Sequence, residues 1–343
     1  MKHGLLSSPD SAPSRAQLRG ERELIAEIRA RVPAAPSWLT IGIGDDAAVV
    51  EAPRGALEVL TTDSLIESIH FDRRLSAPGD IGWKALAVNL SDVAAMGATP
   101  RLALLSLGLP DTMDADGVHE LIDGFLSLAG DARVALAGGN ITRSPGPLIV
   151  DVTVSGFARR RHLLTRAGGR AGDDLYVTGE IGTATAGLLA WQAGVTDIPG
   201  IDACVARHRR PAPRVRVGML LGRNRAATAC MDLSDGLADA VRQIAEASGT
   251  GAHIDAAAVP INSATRGWFG RSGQDPVMAA IAGGDDYELL FSAPRRARGR
   301  LATVMRQAQG VPIARIGALT AARDLGISLE GREEPLPAGF VHF

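Results

Sequence analysis

The sequence predicts a mixed α/β protein of two domains, and three observations carry that reading. The chain has 343 residues, 46% of them hydrophobic, enough to fill two cores when a domain takes roughly 100–200 residues. β-prone runs alternate with helical periodicity in two successive blocks. Between the blocks, Ala158 to Asp173 is a basic, glycine-rich stretch whose composition buries little, so the boundary falls near residues 157–158.

Residues 1–20 are polar, rich in Ser, Pro and Arg, and lack the apolar centre of a secretory signal; they read as a flexible tail. Residues 21–157 form the first block. A helix is expected over Glu21–Val32, where Leu24, Ile25 and Ile28 share a face. A strand follows over Ala56–Thr62 and is expected to end at Asp63; Leu102–Leu109 and Leu148–Gly156 give two more. Helical periodicity covers Gly82–Met96, closed by Gly97 as a left-handed cap, and Asp116–Ala132. In the second block, residues 158–343, strands are expected near Asp174–Gly179, Ala227–Asp232 and Tyr287–Ser292. Helices are expected near Thr183–Ala193, Leu237–Ser248 and Arg298–Gln309. From Glu330 the Gly and Pro content predicts a loop that closes on Gly339-Phe-Val-His-Phe343.

Composition removes several function classes. With 36 basic and 38 acidic residues the formal charge is −2, so no overall field draws nucleic acid or an anionic membrane, and a small-molecule partner is expected. Lys2 and Lys84 are the only lysines and neither follows a glycine-rich run, which excludes a Walker-type P-loop. Cys204 and Cys230 form no CxxC, and the seven histidines show no HExxH, so zinc and a disulfide framework lack support. No uncharged apolar run approaches the roughly 18 residues of a membrane span, and a soluble, cytoplasmic protein is expected.

The informative pattern is a series of aspartates where strands or helix starts meet loops: Asp45, Asp46, Asp63, Asp92, Asp232, Asp235, Asp285 and Asp286. If they converge, like-charge repulsion and desolvation demand a cation. Oxygen donors from carboxylates, Thr and Asn suit a hard ion such as Mg²⁺, which also takes phosphate oxygens, and this points to nucleotide chemistry. Gly42-Ile-Gly-Asp-Asp-Ala47 matches GxGxxA, yet a β-like run follows it and its carboxylates would repel a pyrophosphate, which disfavours a dinucleotide site. Asp232-Leu-Ser-Asp-Gly236 opens a helix and reads either as an N-cap or as a phosphate or metal site. His70 admits a structural reading or a ligand contact. Lys84 and Asp92, eight residues apart, share a helical face, and Lys84 is expected to be a solvated surface charge.

Taken in order, Gly42–Ala47, Thr61-Thr-Asp63, Lys84-Ala-Leu-Ala-Val-Asn-Leu-Ser-Asp-Val-Ala-Ala-Met-Gly97, Gly138-Gly-Asn140, Asp232–Gly236 and Gly283-Gly-Asp-Asp-Tyr-Glu-Leu289 resemble the thiamine-monophosphate kinase family from about Glu21 to Phe343. The resemblance implies an aminoimidazole-ribonucleotide-synthetase-like fold. Its first domain binds ATP and Mg²⁺ and pairs its sheet across a homodimer, and its second domain is α/β. It implies several Mg²⁺ ions held by Asp46, Thr61, Thr62, Asp63, Asp92, Asn140, Asp232 and Asp235, with Asp92 bridging. It implies ATP contacts at Gly139, Asn140, Arg166 and Ser234, with Arg143 a further candidate, and thiamine monophosphate contacts at His70, Asp285 and Phe340. Three positions depart from the family pattern: Asn140 where Asp is frequent, Asp285 where Glu is usual, and Val341 where an acid is common. Phe340 reads equally as an anchor for the C-terminus.

The implied reaction is in-line transfer of a phosphoryl group from ATP to the phosphate of thiamine monophosphate, without a general base. A carbonyl-activating enzyme of the same fold is the nearest rival. A nucleotide-binding module without turnover, favoured by Asn140, and a purely structural scaffold are the others.

Overall fold

In the computed structural model, which describes residues 20–339, burial alternates along β3 (Leu57–Ile66) as a strand with one covered face requires. Val59, Thr61, Asp63 and Leu65 turn inward, while Glu58, Leu60, Thr62 and Ser64 are exposed. Before it lie helix α1 (Glu21–Arg31) and the small hairpin β1 (Leu39–Ile41) and β2 (Val49–Val50). After it come α2 (Pro78–Ala95), β4 (Thr99–Pro110), α3 (Ala115–Ala132), β5 (Ala135–Ser144) and β6 (Ile149–Ala158). The four long strands form one sheet in the order β3-β6-β4-β5, antiparallel except for the β4–β5 pair.

Helix α2 packs against the inner side of this sheet and α3 packs on α2. Leu86, Leu90, Leu121, Ile122, Phe125, Leu107 and Val152 form part of their shared core. α2 and α3 approach closely because glycines face each other: a Cβ on Gly82 would stand 1.9 Å from the Leu121 carbonyl oxygen, and one on Gly124 would stand 1.9 Å from that of Gly79. Thirteen of the eighteen residues of α2 are buried, as expected of a helix covered on several sides. Pro78 opens it in the first turn, and Gly97, at φ +66°, turns the chain out of it.

The second block contains β7 (Asp174–Thr178), α4 (Thr183–Gln192), α5 (Ile201–Arg209), α6 (Val215–Asn224) and β8 (Ala229–Asp232). It continues with α7 (Leu237–Ser248), β9 (Gly251–Asp255), α8 (Ser263–Arg271), α9 (Pro276–Ala282), β10 (Leu289–Ala293), α10 (Arg298–Gln307), β11 (Ile313–Thr320), β12 (Leu325–Leu329) and β13 (Arg332–Pro335). Seven strands form a sheet in the order β13-β12-β9-β11-β7-β10-β8, in which only β12–β9 is parallel. α7 and α9 share one core with this sheet, and α6 and α10 share another that also takes in Ala94 and Ala95 of α2. The two blocks therefore meet along α2. Buried Glu288 ties α5 and α6 to the sheet by accepting from Arg207, Arg214 and the Thr178 hydroxyl.

Several expectations need correction. Asp63 does not end its strand, because β3 stays paired with β6 from Leu57–Ala158 to Ile66–Ile149. Gly138-Gly-Asn140, where no strand was expected, lies within β5, which pairs in parallel with β4 across a bulge at Ala103–Leu104. The segment after Glu330 contains strand β13: Glu330 and Gly331, at φ +50° and +80°, make the two-residue turn of a hairpin. Ala158–Asp173 is also better anchored than its composition suggests. Leu164 is buried and donates its N–H to Met96, and Thr165 accepts from Cys230. Residues 1–19 of the expected tail over residues 1–20, and the Phe340 site, lie outside the described residues. No helix among the described residues is long and apolar enough to cross a membrane.

Candidate active site

A cleft of about 850 Å³ opens between the two blocks. Asp63, in the inward-facing row of β3, and Asp92, near the end of α2, line it from the first block. Asp232, at the end of β8, and Ser234 and Asp235, in the turn before α7, line it from the second. The Thr61 hydroxyl donates to Asp92 Oδ2, the Ser91 hydroxyl donates to Asp232 Oδ2 at 2.7 Å, and Ser234 Oγ donates to Asp235 Oδ2 at 3.0 Å. Asp63 lines the cleft and Thr61 bonds Asp92 from the same strand face, because a strand returns to one face every second residue.

The electrostatics show three carboxylates competing for one place. Burial, and then the charge of Asp92, pushes Asp63 up to about 6. Burial, followed by Asp92, pushes Asp232 up to about 7 against the opposing Ser91 hydrogen bond. Asp92 is raised by burial, with the Thr61 hydroxyl and the Arg166 charge pulling the other way. Among the described residues no three acidic, His or Cys side chains form a ready-made metal cage. Oxygen donors that are buried, mutually repelling and incompletely enclosing fit an ion that takes its remaining ligands from water and phosphate, as Mg²⁺ does.

The other end of the cleft is built differently. Its wall carries Leu65, Ile69, His70, Phe71, Leu188 and Trp191, with Asp285, Tyr287 and His208 behind. His70 Nδ1 accepts the backbone N–H of Ile66 at 3.1 Å, which orients the ring. Asp285 Oδ2 lies 2.9 Å from Lys84 Nζ, and Oδ1 accepts from the Tyr287 hydroxyl at 3.1 Å. Burial alone would raise the Asp285 carboxyl, but Lys84 and the other groups around it, the Tyr287 hydroxyl among them, together outweigh burial and hold the group below the usual carboxylate range. Lys84 is therefore no surface charge: it is 4% exposed, and its periodicity with Asp92 marks the face of α2 that meets the second block.

The remaining expected residues are placed as follows. Thr62 lies on the opposite sheet face from Asp63, hydrogen-bonded to Thr153 at 3.1 Å. Asp46 is exposed in the β1–β2 hairpin, its N–H held by Asp45. Gly139 and Asn140 are exposed in β5, and a Cβ at Gly139 would stand 1.8 Å from the Leu105 carbonyl oxygen. Arg166 is exposed and donates to Gln243, while Arg143 pairs with Asp111 on the surface. Asp286 faces inward and accepts from the N–H groups of Gly182 and Ala184 at the start of α4, so its place in the aspartate series is structural. Gly339, beside the undescribed Phe340, lines the cleft. Trp191 and His208 carried no sequence signal. A scarce aromatic in a helix and a histidine within His208-Arg-Arg210 are ordinary features until the fold brings them together.

Residues 44–158 match the family model of AIR synthase related protein, N-terminal domain, and residues 170–330 match that of the C-terminal domain. Fold and cleft thus define an AIR-synthase-related protein of two α/β domains. The thiamine-monophosphate kinase of Escherichia coli is 38% identical over 329 residues, covering 94% of this chain and 98% of that one. The crystal structure of the thiamine-monophosphate kinase from Stenotrophomonas maltophilia superposes with a TM-score of 0.81 at 38% identity, covering 91% of this chain and 98% of that one. AaThiL, solved in complex with AMPPCP and TMP, superposes at 0.75 with 30% identity, covering 94% and 97%. The chain belongs to the thiamine-monophosphate kinase family.

Proposed function

We propose that this chain catalyses the ATP-dependent phosphorylation of thiamine monophosphate to thiamine diphosphate. The observation that carries the reading is the two-ended cleft: buried, mutually repelling carboxylates at one end, and a fixed Asp285 with apolar and aromatic walls at the other. A substrate with a phosphate and a cationic heterocycle fits those two ends. In the reaction, an oxygen of the substrate phosphate bonds to the terminal phosphorus of ATP, the bond to ADP breaks, and ADP and the diphosphate leave. A phosphomonoester with a second pKa near about 6 is largely dianionic at neutral pH, so no side chain has to remove a proton.

Asp63, Asp92 and Asp232 would hold Mg²⁺ with help from Thr61 and Asp235, and the ions would neutralise the phosphates and the charge on the transferring group. The residues themselves position the ends of the reaction. Arg166 stands where its charge acts on Asp92 and can fork onto phosphate oxygens. Asp285 opposes the thiazolium charge, and Trp191, whose ring Arg209 covers at 3.7 Å, lines the wall nearby.

We also propose that the domains divide at residues 157–158 and that a second copy covers the open face of the four-stranded sheet. The end of β6 at Ala158 supports the first point, and the exposed Leu60 and Leu104 on that face support the second. The primary test is phosphorus NMR of the full chain with ATP, Mg²⁺ and thiamine monophosphate beside a reaction given free thiamine. Equal amounts of ADP and thiamine diphosphate from the monophosphate alone are expected; ATP turnover without diphosphate would overturn the assignment.

A further inference from the structure

Lys84 is the only lysine among the described residues, and its ammonium spans the two blocks. Lysine is almost never fully buried without a partner, so the 4% exposure calls for one. The partners lie on the two walls of the cleft: Asp285 Oδ2 at 2.9 Å in the second block, and the His70 carbonyl oxygen at 3.4 Å in the first. Asp285 and Tyr287 both sit at positive φ, +67° and +50°. Non-glycine residues stay in that region only where their surroundings hold them. Tyr287 supplies one restraint through its hydroxyl, and His208 packs behind with Nδ1 3.5 Å from Asp285 Oδ2. That nitrogen has no hydrogen-bond partner, and burial, then Lys84, pushes the ring down to about 3, so the imidazole is neutral. Lys84 is thus the one full positive charge in contact with the carboxylate.

Lys84, Val88 and Asp92 follow one another at four-residue spacing on α2, and Val88 and Asp92 line the cleft. Eight residues of helix rise about 12 Å. One rigid element therefore carries the metal-facing Asp92 at one end and the holder of Asp285 at the other.

We propose that Lys84 is a positioning residue for substrate: its ammonium clamps the Asp285 carboxylate and the His70 segment at a set distance from Asp92, and so determines affinity for the heterocyclic end of thiamine monophosphate. This inference rests on the kinase reading above. A lysine that merely tied the blocks together would, when removed, lower stability and weaken both substrates alike.

The test uses full-length Lys84→Met, Lys84→Arg and the double variant Lys84→Met/Asp285→Asn, measuring KM for each substrate, kcat, melting temperature and calorimetric binding of thiamine monophosphate. Removing one partner of a buried charge pair predicts a rise of about tenfold or more in KM and in Kd for thiamine monophosphate, with KM for ATP within about twofold of wild type. The double variant should melt closer to wild type than Lys84→Met, because no carboxylate is left unpaired, yet recover no affinity. Lys84→Arg, which keeps the charge, should recover part of it. Unchanged thiamine monophosphate affinity in Lys84→Met, or an equal rise in both KM values, would overturn the proposal. Wild-type protein that binds thiamine monophosphate without phosphorylating it would overturn the kinase reading and leave calorimetry to decide Lys84. Wild-type protein that does not bind it would overturn both.

Discussion

Asp232→Asn should stabilise the metal-free protein while destroying its activity. The carboxylate is 4% exposed, lies at the end of β8, and has the Ser91 hydroxyl as its hydrogen-bond donor. Asparagine is nearly isosteric and keeps an oxygen for Ser91, so the substitution removes mainly the buried charge. Displacement of the carboxyl from 3.8 to about 7 corresponds to a ceiling of about 4 kcal/mol. Because the neighbouring carboxylates share the proton, about 2–4 kcal/mol is expected at a pH of about 8. The sign follows from linkage. The folded-state value is raised, so the wild-type protein takes up a proton on folding as pH falls from about 8 towards about 4, and the penalty on the ionised form disappears. The gap between variant and wild type should therefore be widest near pH 8 and close by about pH 4 to 5. Urea unfolding of both proteins in chelator, across that pH range, measures it. At about 2–4 °C per kcal/mol, a thermal scan should show the same order. Equal or lower stability of the variant at pH 8 in chelator would refute the view that Asp232 is an uncompensated buried charge awaiting a cation.

Asp63→Asn and Asp92→Asn should each reduce phosphoryl transfer by about 10²-fold or more while circular dichroism stays native; turnover near wild type in both would refute the metal assignment. Gly82→Ala should destabilise by about 1–3 kcal/mol in urea despite alanine's better helix propensity, because its Cβ would collide with the Leu121 carbonyl oxygen. Leu60→Asp, on the exposed sheet face, should shift the full chain from dimer to monomer in light scattering without loss of secondary structure; a dimer that persists would refute the proposed interface.

Much of the fold was legible because strong periodicity fixes strands and helices locally. The expected helices over Glu21–Val32, Asp116–Ala132 and Leu237–Ser248 differ from those observed by one residue at most. What failed were segments whose structure is imposed from outside. β5 was not expected at all and is a strand because β4 pairs with it, and β3 runs past Asp63 because β6 holds ten consecutive residues. Thr61-Thr-Asp63 was recognisable as a functional motif, but the pleat puts Asp63 in the cleft and Thr61 against Asp92 and turns Thr62 away. Likewise, Asp285-Asp286 looks like a pair of equivalent carboxylates. The chain turns Asp285 to Lys84 in the cleft and Asp286 to the amides that open α4.

The sequence by itself determined the class of chain and most of the chemical groups. Two isolated lysines excluded a P-loop, and the order of aspartate motifs placed the chain among thiamine-monophosphate kinases. These are properties of composition and spacing, and they survive without coordinates. Tertiary structure alone decided which aspartates repel one another, which one is a cap, and that Lys84 is buried between two walls. A side chain's charge state and partner depend on distance and solvent access, and both are set by residues as far apart in sequence as Lys84 and Asp285.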